Sequence, residues 1–199
     1  DGYNINDNAG STHLEGLIEK VKETKSDLGI AYDGDADRCL MVDSNGKVVD
    51  GDMIMALSAL YLKKQNKLTN NTLVGTVMSN LGLVKFCEAN DVHFEATKVG
   101  DRYVLEKMLE CNYIIGGEQS GHVIFKDFAN TGDGELTSIQ ILNILSEKGV
   151  AMSELASVMK RYPQVLINVK VREEAKGQYE NDSKVTKAIK DVEKQLKGE

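Results

Sequence analysis

Three aspartates within five residues carry the most specific chemistry in the chain. Asp33, Asp35 and Asp37 alternate with small residues directly after an apolar run. In extended backbone this spacing directs all three carboxylates to one side. Two carboxylates about 4 Å apart repel by roughly 4 kcal/mol at an effective dielectric of 20, so the cluster calls for a cation. Oxygen ligands alone favour Mg²⁺ or Ca²⁺, and Arg38 follows where it could face a phosphate on the same metal.

Other metal and phosphate proteins share parts of this pattern. An EF-hand loop needs glycine at its sixth position and glutamate at its twelfth, where this chain has Arg38 and Ser44. A haloacid-dehalogenase-like phosphatase also places D-x-D after an apolar strand and would use Asp33 as its nucleophile. Such enzymes usually have Thr or Val where this chain has Asp37, and the local pattern leaves that alternative open. A divalent-ion-binding or assembly module without catalysis is a further alternative.

A second polar stretch, GGEQSGH, is suited to binding a sugar. This glycine loop (residues 116–122) is predicted to follow a short strand. Glu118 and Ser120 supply a carboxylate and a hydroxyl that can bond vicinal sugar hydroxyls. Gln119 and His122 are further candidates for contact with the substrate. A plain glycine turn would explain the loop alone, so the sugar interpretation depends on its neighbours.

Two more loops follow predicted strands. In Lys98-Val-Gly-Asp-Arg102, Gly100 permits a tight turn, and Asp101 is the predicted N-cap of the next helix. Lys98 and Arg102 are candidates for holding a phosphate near that helix start. Ser79 and Asn80 end another strand and are placed to face the same cleft.

Alternating strands and helices must position these loops. Predicted strands lie at 28–32, 39–43, 47–50, 72–78, 92–98, 113–115, 123–125 and 165–171, and predicted helices at 12–25, 53–64, 81–89, 101–110, 135–148, 152–161 and from 183 onward. This pattern predicts an α/β fold with mixed, mainly parallel sheets flanked by helices. Ligands of such sheets gather beyond the carboxyl ends of the strands, where the polar loops lie. Pro163, the single proline, marks a predicted domain boundary.

Composition excludes several functional classes. The chain has 199 residues, 41% hydrophobic and 28% charged, with a net charge of -7, which argues against nucleic-acid and anionic-membrane partners. The longest apolar run, Met53 to Leu62, is too short to span a bilayer. The three cysteines show neither zinc spacing nor a disulfide framework, which favours the cytoplasm.

Several motifs in a single order resemble the alpha-D-phosphohexomutase superfamily. GIAYDGDADR is similar to its metal loop and GGEQSGH to its sugar-binding loop. TVMSNLGL, TKVGDRYV and NTGDGELTSIQIL, together with Gln119, resemble the bacterial phosphoglucosamine mutase branch. The resemblance extends from Asp1 to about Lys170. Phosphomannomutase and phosphoglucomutase are the alternatives within the superfamily.

The resemblance implies a mechanism and a domain plan. It implies Mg²⁺ on the three aspartates, Arg38 as a catalytic group and a hexosamine phosphate substrate. A phosphoserine would transfer its phosphoryl group through a bisphosphate. We expect the full-length protein to form homodimers. Residues 1–48 would end the second domain, 49–160 form the third and 161–199 begin the fourth. The serine motif is absent from the sequence, so we expect a fragment inactive on its own.

Overall fold

The first sheet is an antiparallel, three-stranded sheet in the order β1-β2-β3. In this computed structural model, which describes residues 3–175 and 177–196, these strands are β1 (Leu28–Tyr32), β2 (Cys39–Asp43) and β3 (Val48–Val49). Tyr32 faces Cys39 in the register of β1 and β2. The three aspartates therefore lie in the connection of a hairpin and not in a crossover to a parallel strand.

The second sheet is mixed and mainly parallel, in the order β5-β4-β6-β7. Strand β4 pairs in parallel with β5 and β6, and only β7 runs antiparallel to β6. These strands are β4 (Thr72–Thr76), β5 (His93–Thr97), β6 (Ile115–Gly117) and β7 (Val123–Phe125). The described residues form seven α-helices: α1 (Glu15–Thr24), α2 (Gly51–Lys64), α3 (Leu81–Ala89), α4 (Asp101–Cys111), α5 (Gly134–Lys148), α6 (Met152–Leu155) and α7 (Ser183–Leu196). The predicted α/β class is confirmed.

One hydrophobic core joins the two sheets. Met41 of the first sheet, Ile115 of the second, Ile54 of α2 and Ile141 of α5 are fully buried in the same cluster. Burial of each such side chain contributes about 1.5–3 kcal/mol. The loops of both sheets are therefore held on one rigid support, within a compact unit that ends at Pro163.

Polar side chains begin three of the helices. The side chains of Asp50, Asn80 and Asp133 accept hydrogen bonds from backbone N–H groups in the first turns of α2, α3 and α5. Each such cap stabilises a helix by about 1 kcal/mol. One predicted helix start and one predicted cap are wrong. Helix α1 begins at Glu15 and not at Thr12, whose hydroxyl donates to the Ala9 carbonyl. Helix α4 is preceded by Gly100, and Asp101 already lies inside the helix.

The chain around Pro163 differs most from prediction. The predicted helix 152–161 is wrong beyond its start: α6 ends at Leu155, and a 3₁₀ turn, Ala156–Val158, follows. Among the described residues, 165–171 form no strand, because a strand requires a hydrogen-bonded neighbour. In the second unit, residues 164–199, helix α7 begins at Ser183 as predicted. No helix in the described part of the chain has the length and apolarity to cross a membrane.

Candidate active site

The aspartate loop (residues 33–38) gathers its three carboxylates. One oxygen from each of Asp33, Asp35 and Asp37 lies within 4.8 Å of the others. The backbone N–H of Arg38 donates to Asp33 Oδ1 at 3.0 Å and closes the loop. The Ala36 carbonyl accepts the N–H of Gly134, the first residue of α5, at 2.8 Å. One hydrogen bond thus joins the two ends of the loop, and a second holds its middle to α5, a helix distant in sequence.

Charge compensation within the loop is incomplete. Arg38 Nε lies 3.7 Å from Asp33 Oδ2 and 3.8 Å from Asp37 Oδ1, distances of ion pairs and not of hydrogen bonds. Asp37 Oδ1 is buried without a hydrogen-bond partner. Burial, followed by the hydrogen bond and charge of Asp33, raises the pKa of Asp37. An orphaned carboxylate oxygen in an all-oxygen cluster fits a hard divalent cation such as Mg²⁺.

His122 holds the aspartate loop through a hydrogen bond to Asp37. Its side chain is buried, with 4% of its surface exposed. Nε2 accepts the backbone N–H of Gly132 at 3.0 Å, so the neutral ring carries its proton on Nδ1. Nδ1 lies 3.1 Å from Asp37 Oδ2 and donates to it; this tautomer is assigned from the hydrogen bonds. With both nitrogens engaged, His122 is placed to orient Asp37, whereas the sequence suggested contact with substrate.

Removing the His122 ring is expected to weaken divalent-ion binding without unfolding the chain. Loss of a partner that orients a metal ligand typically costs 10- to 100-fold in affinity. His122→Ala should therefore raise the dissociation constant for Mn²⁺ about 10-fold, measured by the paramagnetic resonance signal of the free ion. His122→Asn should recover part of the loss, because its amide nitrogen can replace Nδ1 as the donor. His93→Ala, at an exposed histidine paired with Glu95, is the control, and equal affinity in all variants would refute the role.

The glycine loop is held by the first residues of α2 and β2. The Gly51 N–H, at the start of α2, donates to the Gln119 carbonyl at 3.0 Å, and the Cys39 N–H, at the start of β2, donates to the Gly121 carbonyl at 3.1 Å. A Cβ on Gly51 would lie 2.0 Å from the Glu118 carbonyl oxygen, so only glycine permits this approach. Through Cys39, the glycine loop directly adjoins the end of the aspartate loop.

Glu118 connects the loops that follow β5 and β6. Its Oε1 accepts the backbone N–H of Gly100 at 3.0 Å. Gly100 has a φ of +130°, a conformation that favours glycine. The carboxylate is half-buried while Ser120 is exposed. Glu118 and Ser120 thus present a fixed acceptor and a solvent-facing hydroxyl at one edge of the sheet.

The two candidate cations after β5 lie on the surface. Lys98 Nζ lies 5.9 Å from the centre of the Tyr103 ring. Arg102 Nε lies 2.7 Å from Glu106 Oε1, one turn further along α4. Exposed pairs of this kind contribute little to stability. Binding a phosphate with Arg102 therefore requires only that it exchange one weak surface partner for another.

Two glycines that hold the loops were not predicted. Gly51 and Gly134 each directly follow an aspartate cap as the first residue of a helix. A Cβ on Gly134 would lie 2.5 Å from the Arg38 carbonyl oxygen. Glycine is a poor helix former, so an Asp-Gly pair at a helix start is a sequence signal for close approach of another backbone.

Comparisons with known proteins agree with this architecture. Residues 4–46 match the family described as phosphoglucomutase/phosphomannomutase, alpha/beta/alpha domain II, and residues 50–162 match alpha/beta/alpha domain III. The second match alone covers more than half of the chain. The chain therefore belongs to the phosphoglucomutase/phosphomannomutase family, a family of enzymes. The family match includes the aspartate loop, which argues against the haloacid-dehalogenase-like alternative.

Individual relatives show which members of the family the chain resembles. The chain is 57% identical over 198 residues to a phosphoglucosamine mutase of Caldicellulosiruptor saccharolyticus, covering 100% of this chain and 44% of the relative. A family member from Burkholderia thailandensis has a structure that matches with a TM-score of 0.68 and 26% identity over 79% of this chain and 34% of the other. Aspergillus fumigatus N-acetylphosphoglucosamine mutase, solved with GlcNAc-6P and magnesium, shares the fold (TM-score 0.65, 19% identity, 85% and 40% coverage). The chain spans less than half the length of its curated relatives.

Proposed function

We propose that the chain is the metal- and sugar-binding part of a phosphoglucosamine mutase, which interconverts glucosamine 6-phosphate and glucosamine 1-phosphate. Two hydrogen bonds carry the proposal. His122 of the glycine loop bonds Asp37 of the aspartate loop, and Gly121 accepts the N–H of Cys39, the residue directly after that loop. These contacts hold a cation site and a sugar site side by side, an arrangement that suits transfer of a phosphoryl group to a sugar. The names of the relatives support the amino sugar.

Phosphoryl transfer depends mainly on positioning and charge neutralisation, and the residues of the aspartate loop would contribute to both. Asp33, Asp35 and Asp37 would hold Mg²⁺, which supplies positive charge to the transferring group. Arg38, beside two of them, adds a second positive charge. The phosphoserine would come from a part of the protein outside this chain, and the reaction would pass through a sugar bisphosphate.

The glycine loop would hold the sugar while it is phosphorylated at either end. Glu118, fixed by Gly100, would accept hydrogen bonds from sugar hydroxyls, and Ser120 would exchange bonds with them. Gln119 would contribute to the choice of sugar. Lys98, with Arg102 and the Gly100 turn, would hold the phosphate that is not being transferred.

The wider context of the proposal follows the resemblance. We propose the domain limits 1–48, 49–160 and 161–199, a cytoplasmic location and a role in forming UDP-N-acetylglucosamine for cell-wall synthesis. A homodimer of the full-length protein remains a prediction, to be tested by sedimentation.

The full-length protein should lose activity when Glu118 loses its charge. Glu118→Gln keeps an acceptor for the Gly100 N–H but weakens the bonds to the sugar. A hydrogen bond to a charged group contributes about 1.5–3 kcal/mol, so kcat/KM for glucosamine 6-phosphate should fall about 10- to 100-fold. Glu88→Gln, on the exposed face of α3, is the matched control.

The chain alone should show no turnover, since the proposed phosphate donor lies elsewhere. Formation of glucosamine 1-phosphate by the pure chain, abolished in Asp37→Asn, would contradict the division of the mechanism between parts of the protein. Unchanged kcat/KM in the Glu118→Gln protein would contradict the sugar-binding role of the glycine loop.

A further inference from the structure

The loop after β4 contains a buried network that the proposed function does not use. The sequence suggested that Asn80 faces the cleft, but only 1% of its surface is exposed. Its backbone N–H donates to Asp52 Oδ2 at 2.6 Å, and Asp52 is itself fully buried in the first turn of α2. Asn80 therefore points into the protein, and Asp52 of α2 holds its backbone.

The Asn80 side chain binds both backbone groups of a residue 82 positions away. Its Nδ2 donates to the Tyr162 carbonyl at 2.8 Å, and its Oδ1 accepts the Tyr162 N–H at 2.9 Å. The same Oδ1 accepts the Gly82 N–H at 2.9 Å and caps α3. One amide thus begins a helix and holds a distant backbone segment at two points.

The neighbours of Tyr162 are held against the same helix. The Lys160 carbonyl oxygen lies 2.0 Å from the position that a Cβ on Gly82 would occupy. The Lys160 ammonium lies 5.1 Å from the centre of the Tyr162 ring. Arg161 Nε lies 3.6 Å from Asp50 Oδ2, beside the start of α2. Residues 160–162, the exit segment, therefore contact two helix starts.

The exit segment directly precedes the division between the two compact units, which falls after Pro163. We propose that Asn80 is a latch that fixes the exit segment on α3, so that independent movement of the chain begins only beyond Tyr162. Asp52 is the base of the latch. The adjacent Gly51 N–H donates to Gln119, so the first turn of α2 supports both the latch and the glycine loop.

Limited proteolysis of the whole chain tests the latch. The side chains of Lys160 and Arg161 are exposed, so trypsin can recognise them, but their backbone must leave α3 before cleavage. Asn80→Ser keeps a residue that caps helices well yet is too short to bind Tyr162 at two points. Initial cleavage after Lys160 and Arg161, measured by mass spectrometry, should accelerate at least tenfold. Cleavage after the exposed Arg172 should not change.

Two further variants separate the latch from general destabilisation. Gly82→Ala favours the helix but places a Cβ against the Lys160 carbonyl, so it should also accelerate cleavage of the exit segment. Val104→Ala leaves the latch intact and opens a cavity in the fully buried core under α4. Wild-type cleavage rates in Asn80→Ser and Gly82→Ala would overturn the proposal. So would an equal acceleration by Val104→Ala and Asn80→Ser, compared at denaturant concentrations that equalise their unfolding free energies.

Discussion

Asp37→Asn is expected to stabilise the chain without metal and to remove its stabilisation by Mg²⁺. The pKa of Asp37 is raised first by burial and then by Asp33. An acid whose pKa is higher in the folded chain loses stability as pH rises through that pKa, so at neutral pH the carboxylate destabilises the metal-free fold. Asparagine resembles the protonated form and removes that cost. The same change removes a metal ligand.

Denaturation with and without Mg²⁺ measures both effects. At a Mg²⁺ concentration 100 times its dissociation constant, the wild-type chain should gain about 2.7 kcal/mol. If Asp37→Asn weakens binding about 100-fold, the variant should gain only about 0.4 kcal/mol at that concentration. Asp127→Asn, at an exposed aspartate outside the aspartate loop, should behave like the wild type. A variant that is less stable than the wild type without metal would contradict the proposed repulsion.

Gly134→Ala is expected to destabilise the chain although alanine is the better helix former. The new Cβ would lie 2.5 Å from the Arg38 carbonyl oxygen and 2.9 Å from that of Ala36. Overpacking of this kind typically costs about 1–3 kcal/mol, and alanine returns at most about 1 kcal/mol of helix propensity. The aspartate loop should move to relieve the contact, so affinity for Mg²⁺ should fall as well.

Gly16→Ala is the matched control for this change. Gly16 lies inside α1, and a Cβ there would meet no atom within 4 Å. The substitution should stabilise the chain by up to about 1 kcal/mol and leave metal affinity unchanged. Urea denaturation and metal titration of both variants give the comparison. Stabilisation of the chain by both alanines would mean that α5 does not hold the aspartate loop.

Local sequence patterns predicted the elements and the groups that could do chemistry. The run Leu28–Tyr32 matches β1, and the strands predicted at 39–43 and 47–50 correctly located β2 and β3. The spacing of the aspartates was sufficient to predict that their carboxylates gather. In each case the information lies within a few neighbouring residues.

Contacts between distant residues were not predicted from these patterns. The bond between His122 and Asp37 joins residues 85 positions apart, so the histidine looked like a substrate ligand. Tyr162 gives both its backbone groups to Asn80, and residues 159–161 before it are not helical, although a helix was predicted through residue 161. Periodicity reports which face of an element is buried and carries no information about which side chain it will meet.

Binding of Mn²⁺ to the chain, followed by paramagnetic resonance, tests the central claim that the aspartate loop is a divalent-metal site supported from the glycine loop. We expect one bound ion per chain, which Mg²⁺ displaces. Affinity should fall about 10-fold in His122→Ala and about 100-fold in Asp37→Asn. Titrations that are the same for the wild type and both variants would contradict it.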